Sequence, residues 1–349
     1  MRFRFITSTP LEVRAGSGTY VGITVLARAL KAMGHSVAFE TPPRRLPVFT
    51  AERLLFNRSL RAAADFDLTV GFDMDGYRIA GSPGHVAALK GVIADEVRFE
   101  RGLTKLTMQA QARCERLHVR RAARVMVTSR YCAGQVRELY GLEEEPAIVP
   151  EPIELEAWKR LLAGRPAAPA DRFTVLSVGR FYRRKRLDVL LRAAAGLRER
   201  IPELALRIVG NGPCAANLHR LAGELRLGST VTWLGDISRS QLAQEYNGAS
   251  VFCLPSVQEG FGIVLLEAMA AGKPIVAARA AAIPEVVPHA EFAEPDNAAA
   301  LADAIERLWR SPEAGAAQVR AGSRWVKQFD APQVAQAFVA ACPVTCTAA

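Results

Sequence analysis

Short apolar runs alternate with amphipathic stretches along the whole chain. The runs are rich in Val, Ile, Leu and Phe, as buried strands are, whereas the stretches between them place apolar residues at helical spacing. Strands that alternate with helices are typical of parallel sheets covered by helices. The pattern therefore predicts an α/β protein.

The predicted elements fall into two halves. In the first half the strands are Phe3–Ile6, Ser36–Phe39, Leu68–Gly71 and Arg124–Thr128, and the helices are Tyr20–Met33 and Leu103–Arg121. In the second half the strands are Phe173–Val178, Leu204–Val209, Val231–Leu234, Ser250–Leu254 and Pro274–Ala277, and the helices are Leu187–Arg200, Ala215–Leu225, Gln241–Asn247 and Phe261–Ala271. Prolines at positions 150, 152, 166 and 169 interrupt the pattern, so we place a domain boundary between residues 165 and 166. A chain of 349 residues is long enough for two domains.

Composition narrows the class of partner. The formal net charge of +10 favours phosphorylated ligands or an anionic lipid surface, although an arginine-rich composition that keeps the protein soluble explains it equally well. No pattern typical of nucleic-acid recognition stands out, so we expect no nucleic-acid partner. The six cysteines match no zinc-binding spacing. The cysteines are therefore expected to be the reduced thiols of a cytoplasmic protein. No run approaches the roughly 18 apolar residues of a membrane span, so any contact with the membrane is expected to be peripheral.

Two glutamates flank a predicted strand-to-helix turn in the second half. Glu259 is followed by Gly260, Phe261 and Gly262, and Glu267 lies inside the helix that comes next. The glycines let a ligand approach the backbone, and the amides at a helix start suit a diphosphate. Because carboxylates accept hydrogen bonds from hydroxyls, the two glutamates suit the sugar and the ribose of a nucleotide sugar. Each glutamate alone is also explained as an ordinary surface carboxylate.

Basic residues and glycines follow the two strands that open the second half. Gly179, Arg180 and Lys185 come after the first of these strands, at the carboxyl edge of a parallel sheet, where ligands of such folds bind. A departing diphosphate needs positive charge there, although a solvated basic turn is the alternative. Gly210, Asn211 and Gly212 follow the second strand and form a tight turn through which a nucleobase can meet main-chain groups.

These elements together resemble the retaining glycosyltransferases of the GT-B fold, in the group that carries a Glu-x7-Glu motif (glycosyltransferase family 4, or glycosyl transferases group 1). The resemblance covers most of the chain and is densest from Val175 to Glu285. It implies two Rossmann-like α/β/α domains facing a central cleft. Residues 1–165 would bind the acceptor, residues 166–327 would bind the nucleotide sugar, and residues 328–349 would form a helix that crosses back to the first domain and a tail.

The resemblance also implies a role for each matching residue. Arg180 and Lys185 would contact the donor diphosphate, Glu259 the donor sugar and Glu267 the ribose, while the phosphate site would be completed by Gly260, Phe261, Gly262 and Ile263. The implied reaction transfers a hexosyl unit with retention to a glycan or lipid-linked acceptor, in bacterial cell-envelope or polysaccharide synthesis. It needs no metal and no other cofactor. Because a phosphate oxygen of the leaving group takes the acceptor proton, no protein nucleophile is required.

A glycine-rich segment in the first half supports an alternative. Gly16, Ser17 and Gly18 precede the first predicted helix and Glu40 ends the next strand, in the order of a dinucleotide-binding fingerprint. That order predicts an NAD(P)-dependent oxidoreductase. In the fingerprint the first glycine follows the strand directly, whereas here Thr7 to Ala15 intervene. We therefore favour a loop whose Gly16 and Gly18 face the donor phosphates, and a non-catalytic nucleotide-sugar binding protein is the second alternative.

The first half contains three further candidates. Asp73 and Asp75 form an Asp-x-Asp motif, for which we expect a loop that contacts the acceptor, with a metal site as the weaker alternative. His85 follows a loop and is the histidine expected to face a ligand, so we count it among the catalytic candidates, with a core histidine as the alternative. The arginine-rich stretch Leu103–Arg130 predicts either a solvated helix face or a patch that docks on anionic lipid.

Overall fold

The computed structural model describes residues 1–10, 18–163 and 172–343. The chain forms two compact units, one of Met1–Pro152 with Ala331–Ala349 and one of Ile153–Asp330. The division therefore comes after Pro152, while the boundary expected between residues 165 and 166 lies outside the described residues. Both units are α/β structures.

A six-stranded sheet forms the centre of the first unit. Its strands are β1 (Arg2–Ile6), β2 (Ser36–Glu40), β3 (Leu68–Phe72), β4 (His85–Leu89), β5 (Arg124–Val127) and β6 (Ala147–Ile148). The helices between them are α1 (Gly18–Ala32), α2 (Phe49–Ser59), α3 (Ile93–Glu96), α4 (Gly102–Arg121) and α5 (Arg130–Tyr140). All the strands are parallel, in the order β2-β1-β3-β4-β5-β6.

The second unit repeats this architecture. Its strands are β7 (Phe173–Val178), β8 (Leu204–Val209), β9 (Val231–Gly235), β10 (Val251–Leu254), β11 (Ile275–Ala278) and β12 (Glu291–Ala293). Its helices are α6 (Leu155–Leu162), α7 (Leu187–Leu197), α8 (Ala215–Glu224), α9 (Arg239–Gly248), α10 (Ile263–Ala270), α11 (Ile283–Val286), α12 (Ala298–Arg310) and α13 (Pro312–Trp325). The strands are again parallel, in the order β12-β11-β10-β7-β8-β9. The predicted α/β class with two Rossmann-like sheets is confirmed.

The last helix completes the core of the first unit. This helix, α14 (Ala331–Ala341), buries Val334 and Phe338 in the same cluster as Phe3 and Phe5 of β1. The ring centroid of Phe338 lies 5.8 Å from that of Phe3 and 6.2 Å from that of Phe5. Both ends of the chain therefore contribute to the first unit, because the apolar face of α14 is buried only there.

Most predicted elements lie within a few residues of the observed ones, but one helix start differs, and several observed strands and helices were not predicted. The apolar pattern did not predict β4, β6 and β12, which are short or carry a polar residue at their start. It also did not predict the helices α2, α3, α5, α6, α11, α12 and α13. The helix predicted from Phe261 begins at Ile263 instead, since Gly262 has a φ of 88°. That left-handed conformation favours glycine and cannot continue into a helix.

Candidate active site

The strand order of the second unit brings distant loops together. Strand β7 lies between β8, which follows it in the chain, and β10, which comes later. Where the strand order reverses in this way, the loops at the carboxyl ends of the two neighbouring strands diverge and leave room for a ligand. Lys185 lies after β7 and Glu259 after β10, 74 positions apart in sequence. The two residues meet at this point.

Lys185 and Glu259 form a largely buried ion pair. The ammonium of Lys185 donates a hydrogen bond to Oε1 of Glu259, and the exposed fractions of the two side chains are 16% and 9%. Their loops are also joined through the backbone, because the amide of Val257 donates a hydrogen bond to the carbonyl of Arg184 at 2.9 Å. The amide of Ala282, which follows β11, donates to the carbonyl of Glu259 at 3.3 Å. Burying two charges costs solvation free energy, so such a pair is weak evidence for stability and marks a functional candidate.

Glycines join the loops that follow β7 and β8. Gly210 has a φ of 118°, and a Cβ placed on it would lie 2.1 Å from the carbonyl oxygen of Gly179. The amide of Phe181 donates to the carbonyl of Asn211 at 2.9 Å, and the amide of Gly212 to the Asn211 side chain at 2.8 Å. The predicted residues Gly179, Asn211 and Gly212 therefore lie in two loops that pack directly against each other. Only glycine fits at position 210.

Arg180 lies in the same loop and carries a loosely held charge. Its Nη1 is 3.9 Å from Oδ1 of Asp236, which follows β9, and the exposed fractions of the two side chains are 38% and 49%. An exposed ion pair at this distance contributes only ~0–1 kcal/mol. An anionic ligand can therefore replace Asp236 as the partner of Arg180 at small cost.

The glycine turn before α10 leads directly into a helix N-terminus. Gly262 caps this helix, which begins at Ile263, and the first amides of a helix lack intrahelical partners. These amides and the positive end of the helix dipole favour an anion. Phe261 has a different environment: only 4% of it is exposed, and its ring centroid lies 5.5 Å from that of Phe329. Phe261 therefore anchors the turn through its side chain, while Gly260 lies between this anchor and Glu259.

Glu267 is buried within the second unit. The hydroxyl of Tyr246 lies 3.0 Å from Oε2 of Glu267 and 3.1 Å from the carbonyl oxygen of Val264. Burial raises the pKa of Glu267 to about 7, against the opposing effects of the Tyr246 hydrogen bond and the charge of Arg239. Tyr246 was not among the predicted site residues, because an aromatic residue on a helix carries no local signal of a partner 21 positions away.

His85 does not face a ligand, and that prediction is wrong. It opens β4 and is fully buried, with its Nε2 2.8 Å from Nε2 of His118. Burial, together with the nearby charges of His118 and Arg4, lowers the pKa of His85 to about 2. Among the described residues its Nδ1 has no hydrogen-bond partner. A central parallel strand buries both of its faces, so the core-histidine alternative holds.

The second carboxylate of the Asp-x-Asp motif, that of Asp75, has a structural role inside the first unit. Asp75 is fully buried. Its carboxylate accepts hydrogen bonds from the amide and the hydroxyl of Ser8, at 2.7 and 2.6 Å, and from the side-chain amide of Asn57 at 3.0 Å. It also forms an ion pair with Arg53 at 3.2 Å. The expected contact with an acceptor is therefore wrong for Asp75, whose oxygens are already used. Burial raises the pKa of Asp73, whose carboxylate accepts from a backbone amide, to about 6.

The glycine-rich segment of the first half is described only in part. Gly16 lies outside the described residues, and Gly18 is the first residue of α1. Strand β1 ends at Ile6, so residues 7–17 separate strand from helix, whereas a dinucleotide fingerprint closes its turn directly after the strand.

The described residues contain neither a cluster that suits a metal ion nor a helix that could cross a membrane. Within residues 1–10, 18–163 and 172–343, no three His, Cys, Asp or Glu side chains lie together in a way that suits a metal ion. In the same part of the chain, no helix combines the length and the apolar character needed to cross a bilayer.

Similar sequences cover less than half of the chain. Residues 161–325 match the family model described as "Glycosyl transferases group 1". The GDP-mannose-dependent alpha-(1-6)-phosphatidylinositol monomannoside mannosyltransferase of Mycolicibacterium smegmatis is 35% identical over 165 residues, 44% of this chain and 43% of that protein. The D-inositol 3-phosphate glycosyltransferase of Nocardiopsis dassonvillei is 36% identical over 185 residues, 49% of this chain and 43% of that protein. The chain thus spans less than half the length of these curated relatives.

Solved structures are similar over nearly the whole chain. A sucrose-phosphate synthase from Thermosynechococcus elongatus matches with a TM-score of 0.80 and 22% identity, covering 97% of both chains. HepE from Anabaena, in complex with UDP-glucose, matches with a TM-score of 0.72 and 18% identity over 97% of this chain and 98% of that one. WaaG, a glycosyltransferase of lipopolysaccharide biosynthesis, has a TM-score of 0.74 at 19% identity, over 97% of this chain and 98% of its own. Identities this low show the fold alone, which is GT-B.

Proposed function

We propose that this chain, which through residues 161–325 belongs to the group 1 glycosyltransferases, transfers a hexosyl unit from a nucleoside-diphosphate sugar to a hydroxyl of a glycan or lipid-linked acceptor. The observation that carries the proposal is the Lys185–Glu259 pair at the carboxyl edge of the second sheet. It supplies a cation for a diphosphate and a carboxylate for sugar hydroxyls, side by side.

The surrounding groups support an assignment of the donor's parts. Lys185, Arg180 and the start of α10 together offer the positive charge and the hydrogen-bond donors that a diphosphate needs. Glu259 would accept hydrogen bonds from the transferred sugar, and Glu267 from the ribose. The turn at Asn211 and Gly212 would meet the base through main-chain groups. Because the pKa of Glu267 is raised to about 7, pH values above 7 favour its charged form, which accepts from a diol.

The proposed chemistry retains the anomeric configuration. The bond between the anomeric carbon and the phosphate oxygen breaks, a bond from that carbon to the acceptor oxygen forms on the same face, and the acceptor proton passes to a phosphate oxygen of the leaving group. Lys185 and Arg180 stabilise the charge that develops on the diphosphate, so catalysis consists of positioning and electrostatic stabilisation. This route uses no protein nucleophile and no metal, and product stereochemistry determined by NMR, with and without EDTA, tests both statements.

The names of similar proteins support the donor and acceptor classes. One relative is named for GDP-mannose and a phosphatidylinositol mannoside, one structural neighbour binds UDP-glucose, and another acts in lipopolysaccharide biosynthesis. We therefore include lipid-linked acceptors and a role in cell-envelope or polysaccharide synthesis, at the cytoplasmic side of the membrane, in the proposal. A thermal-shift screen with UDP, GDP, ADP, their sugar conjugates, NAD and NADP identifies the donor, since a ligand of the native state raises the melting temperature. Stabilisation by NAD alone would favour the oxidoreductase alternative.

The face of α4 supports peripheral contact with anionic lipid. Leu103, Leu106 and Leu117 are 76%, 64% and 42% exposed, and their spacing places them along one side of the helix. The basic side chains of the same helix are Lys105, Arg113, Arg116, Arg120 and Arg121. Its acidic residue, Glu115, is fully buried, so the exposed face of α4 carries no carboxylate. Exposed leucines among basic residues are the composition of a helix that lies on an anionic membrane surface.

The donor-site assignment is tested with Lys185→Ala, which removes the cation, and the matched control Arg183→Ala in the same turn, where the side chain is exposed. We expect the first variant to lose transfer by at least ~100-fold and the second to stay near the wild-type rate. Equal activity of Lys185→Ala and wild type would refute the assignment.

The membrane proposal is tested by sedimentation with vesicles of phosphatidylglycerol and phosphatidylcholine. Leu103→Ser with Leu106→Ser should reduce binding to the anionic vesicles, whereas Leu55→Ser, which changes a 54% exposed leucine on α2, should not. Equal binding of all three proteins would contradict the assignment to α4.

A further inference from the structure

We propose that Glu259 makes the donor site discriminate between a nucleotide sugar and the free nucleoside diphosphate that remains after transfer. The inference rests on the proposed function and adds a specificity role that the donor assignment alone does not contain. It starts from one fact: the two groups assigned to different parts of the donor, Lys185 to the diphosphate and Glu259 to the sugar, bind each other.

Burial and hydrogen bonds between their loops fix the positions of Lys185 and Glu259. Glu259 is 93% buried as a residue, and its carbonyl accepts from the amide of Ala282. Two hydrogen bonds join the loop of Lys185 to the loop of Glu259. The amide of Val257 donates to the carbonyl of Arg184 at 2.9 Å, and Nε of Arg184 donates to the side-chain oxygen of Gln258 at 2.9 Å. Neither side chain can therefore leave its partner simply by moving its loop into solvent.

A free nucleoside diphosphate competes with Glu259 for Lys185. Its phosphate oxygens accept hydrogen bonds and carry negative charge, so they seek the same ammonium. Attraction of Lys185 to the diphosphate weakens its bond to Glu259, whose carboxylate then lies near a second anion with little solvent around it. Leaving a buried charge without its partner is strongly unfavourable. The buried charge of Glu259 therefore disfavours binding of the free diphosphate.

A nucleotide sugar avoids the cost of leaving Glu259 without a partner, because it supplies hydrogen-bond donors as well as negative charge. While its diphosphate attracts Lys185, the hydroxyls of its hexose can donate to both oxygens of Glu259. Each charged side chain then exchanges one partner for another, and neither is left unpaired. After transfer the hexose is gone, Glu259 loses these donors, and its renewed attraction for Lys185 favours release of the nucleoside diphosphate.

The test is isothermal titration of the full chain with a nucleoside diphosphate and with its hexose conjugate, using UDP with UDP-glucose or GDP with GDP-mannose, whichever pair stabilises the protein. Glu259→Gln keeps the shape of the side chain and removes its charge. We expect Glu259→Gln to bind the free diphosphate about tenfold more tightly than wild type and to bind the conjugate no more tightly. The ratio of the two dissociation constants should therefore change by about tenfold or more.

Glu306→Gln is the matched control. Glu306 is also a largely buried carboxylate, and it pairs with Arg200, which precedes the start of β8 and so lies at the opposite edge of the sheet. Its neutralisation should leave both dissociation constants unchanged. Free diphosphate affinity that is equal or weaker in Glu259→Gln would overturn the inference while the proposed function stands. Failure of the wild type to bind either ligand would instead overturn the proposed function.

Discussion

Replacing Glu267 by Gln should stabilise the second unit and weaken nucleotide binding, with a stability effect that depends on pH. The pKa of Glu267 is raised to about 7 from an ordinary value of 4.5, chiefly by burial. A carboxyl group with a raised pKa binds its proton more tightly in the folded state. The stability that this tighter proton binding contributes to the folded state is therefore complete below pH ~4.5 and is lost as the pH rises through ~7.

The magnitude follows from the size of this shift. One pKa unit corresponds to about 1.4 kcal/mol, so a rise from 4.5 to about 7 makes the charged form cost the native state roughly 3 kcal/mol at pH 8.5. Gln cannot ionise, and its side-chain oxygen can still accept the hydrogen bond that Tyr246 donates to Glu267. The variant should thus resemble wild type at pH 5 and exceed its free energy of unfolding at pH 8.5 by up to about 3 kcal/mol.

Tryptophan fluorescence during urea unfolding is the appropriate assay. The four tryptophans are Trp158, Trp233, Trp309 and Trp325, and all lie within Ile153–Asp330. Their fluorescence therefore reports on the second unit alone, and the ring of Trp158 lies 5.7 Å from that of Tyr246, centroid to centroid. Titration with nucleoside diphosphate at pH 8.5 measures the accompanying loss of affinity, which we expect to be about tenfold.

Two outcomes would refute this reasoning. A difference in unfolding free energy that is the same at pH 5 and pH 8.5 would mean that burial does not raise the pKa of Glu267. Stronger stability at pH 8.5 with unchanged nucleotide affinity would separate Glu267 from the ribose. Glu224→Gln is the control, because Glu224 is exposed and pairs with Arg220 one helical turn away, so its effect should be small at both pH values.

Three further substitutions test other parts of the structure. Gly210→Ala should destabilise the second unit by ~3 kcal/mol, because a Cβ there meets a carbonyl oxygen at 2.1 Å in a left-handed conformation; unchanged urea unfolding would contradict this. His85→Gln should leave kcat/KM within about twofold of wild type and lower the melting temperature, since His85 is buried beside His118; a selective loss of activity would restore His85 as a catalytic candidate. Lys90→Met should destabilise the first unit by ~3–5 kcal/mol, because the pair of Lys90 with Glu151, at 2.9 Å, is 7% and 6% exposed; amide hydrogen exchange measures the loss.

The sequence alone determined the features that depend on neighbouring residues. The period of apolar positions identified most of the described strands and fewer than half of the described helices, since each side chain's face follows from the local backbone geometry. The glycines at Gly210 and Gly262 marked turns for the same reason, because only a residue without a Cβ adopts their conformations at low cost. The order of turns, charges and glutamates from Val175 to Glu285 also carried the resemblance to the group 1 glycosyltransferases, whose family model matches residues 161–325.

The tertiary structure decided which of these residues meet. Lys185 and Glu259 are 74 positions apart, and they pair only because β7 lies beside β10 in the sheet. The same dependence explains the corrections at His85 and Asp75: strand β4 and the loop after β3 are enclosed by elements distant in sequence, which local patterns do not reveal. Burial of Glu267 against Tyr246 likewise follows from packing between α9 and α10. Periodicity specifies the face of an element, whereas strand order and packing select its neighbours, and with them the charge and solvation of the site.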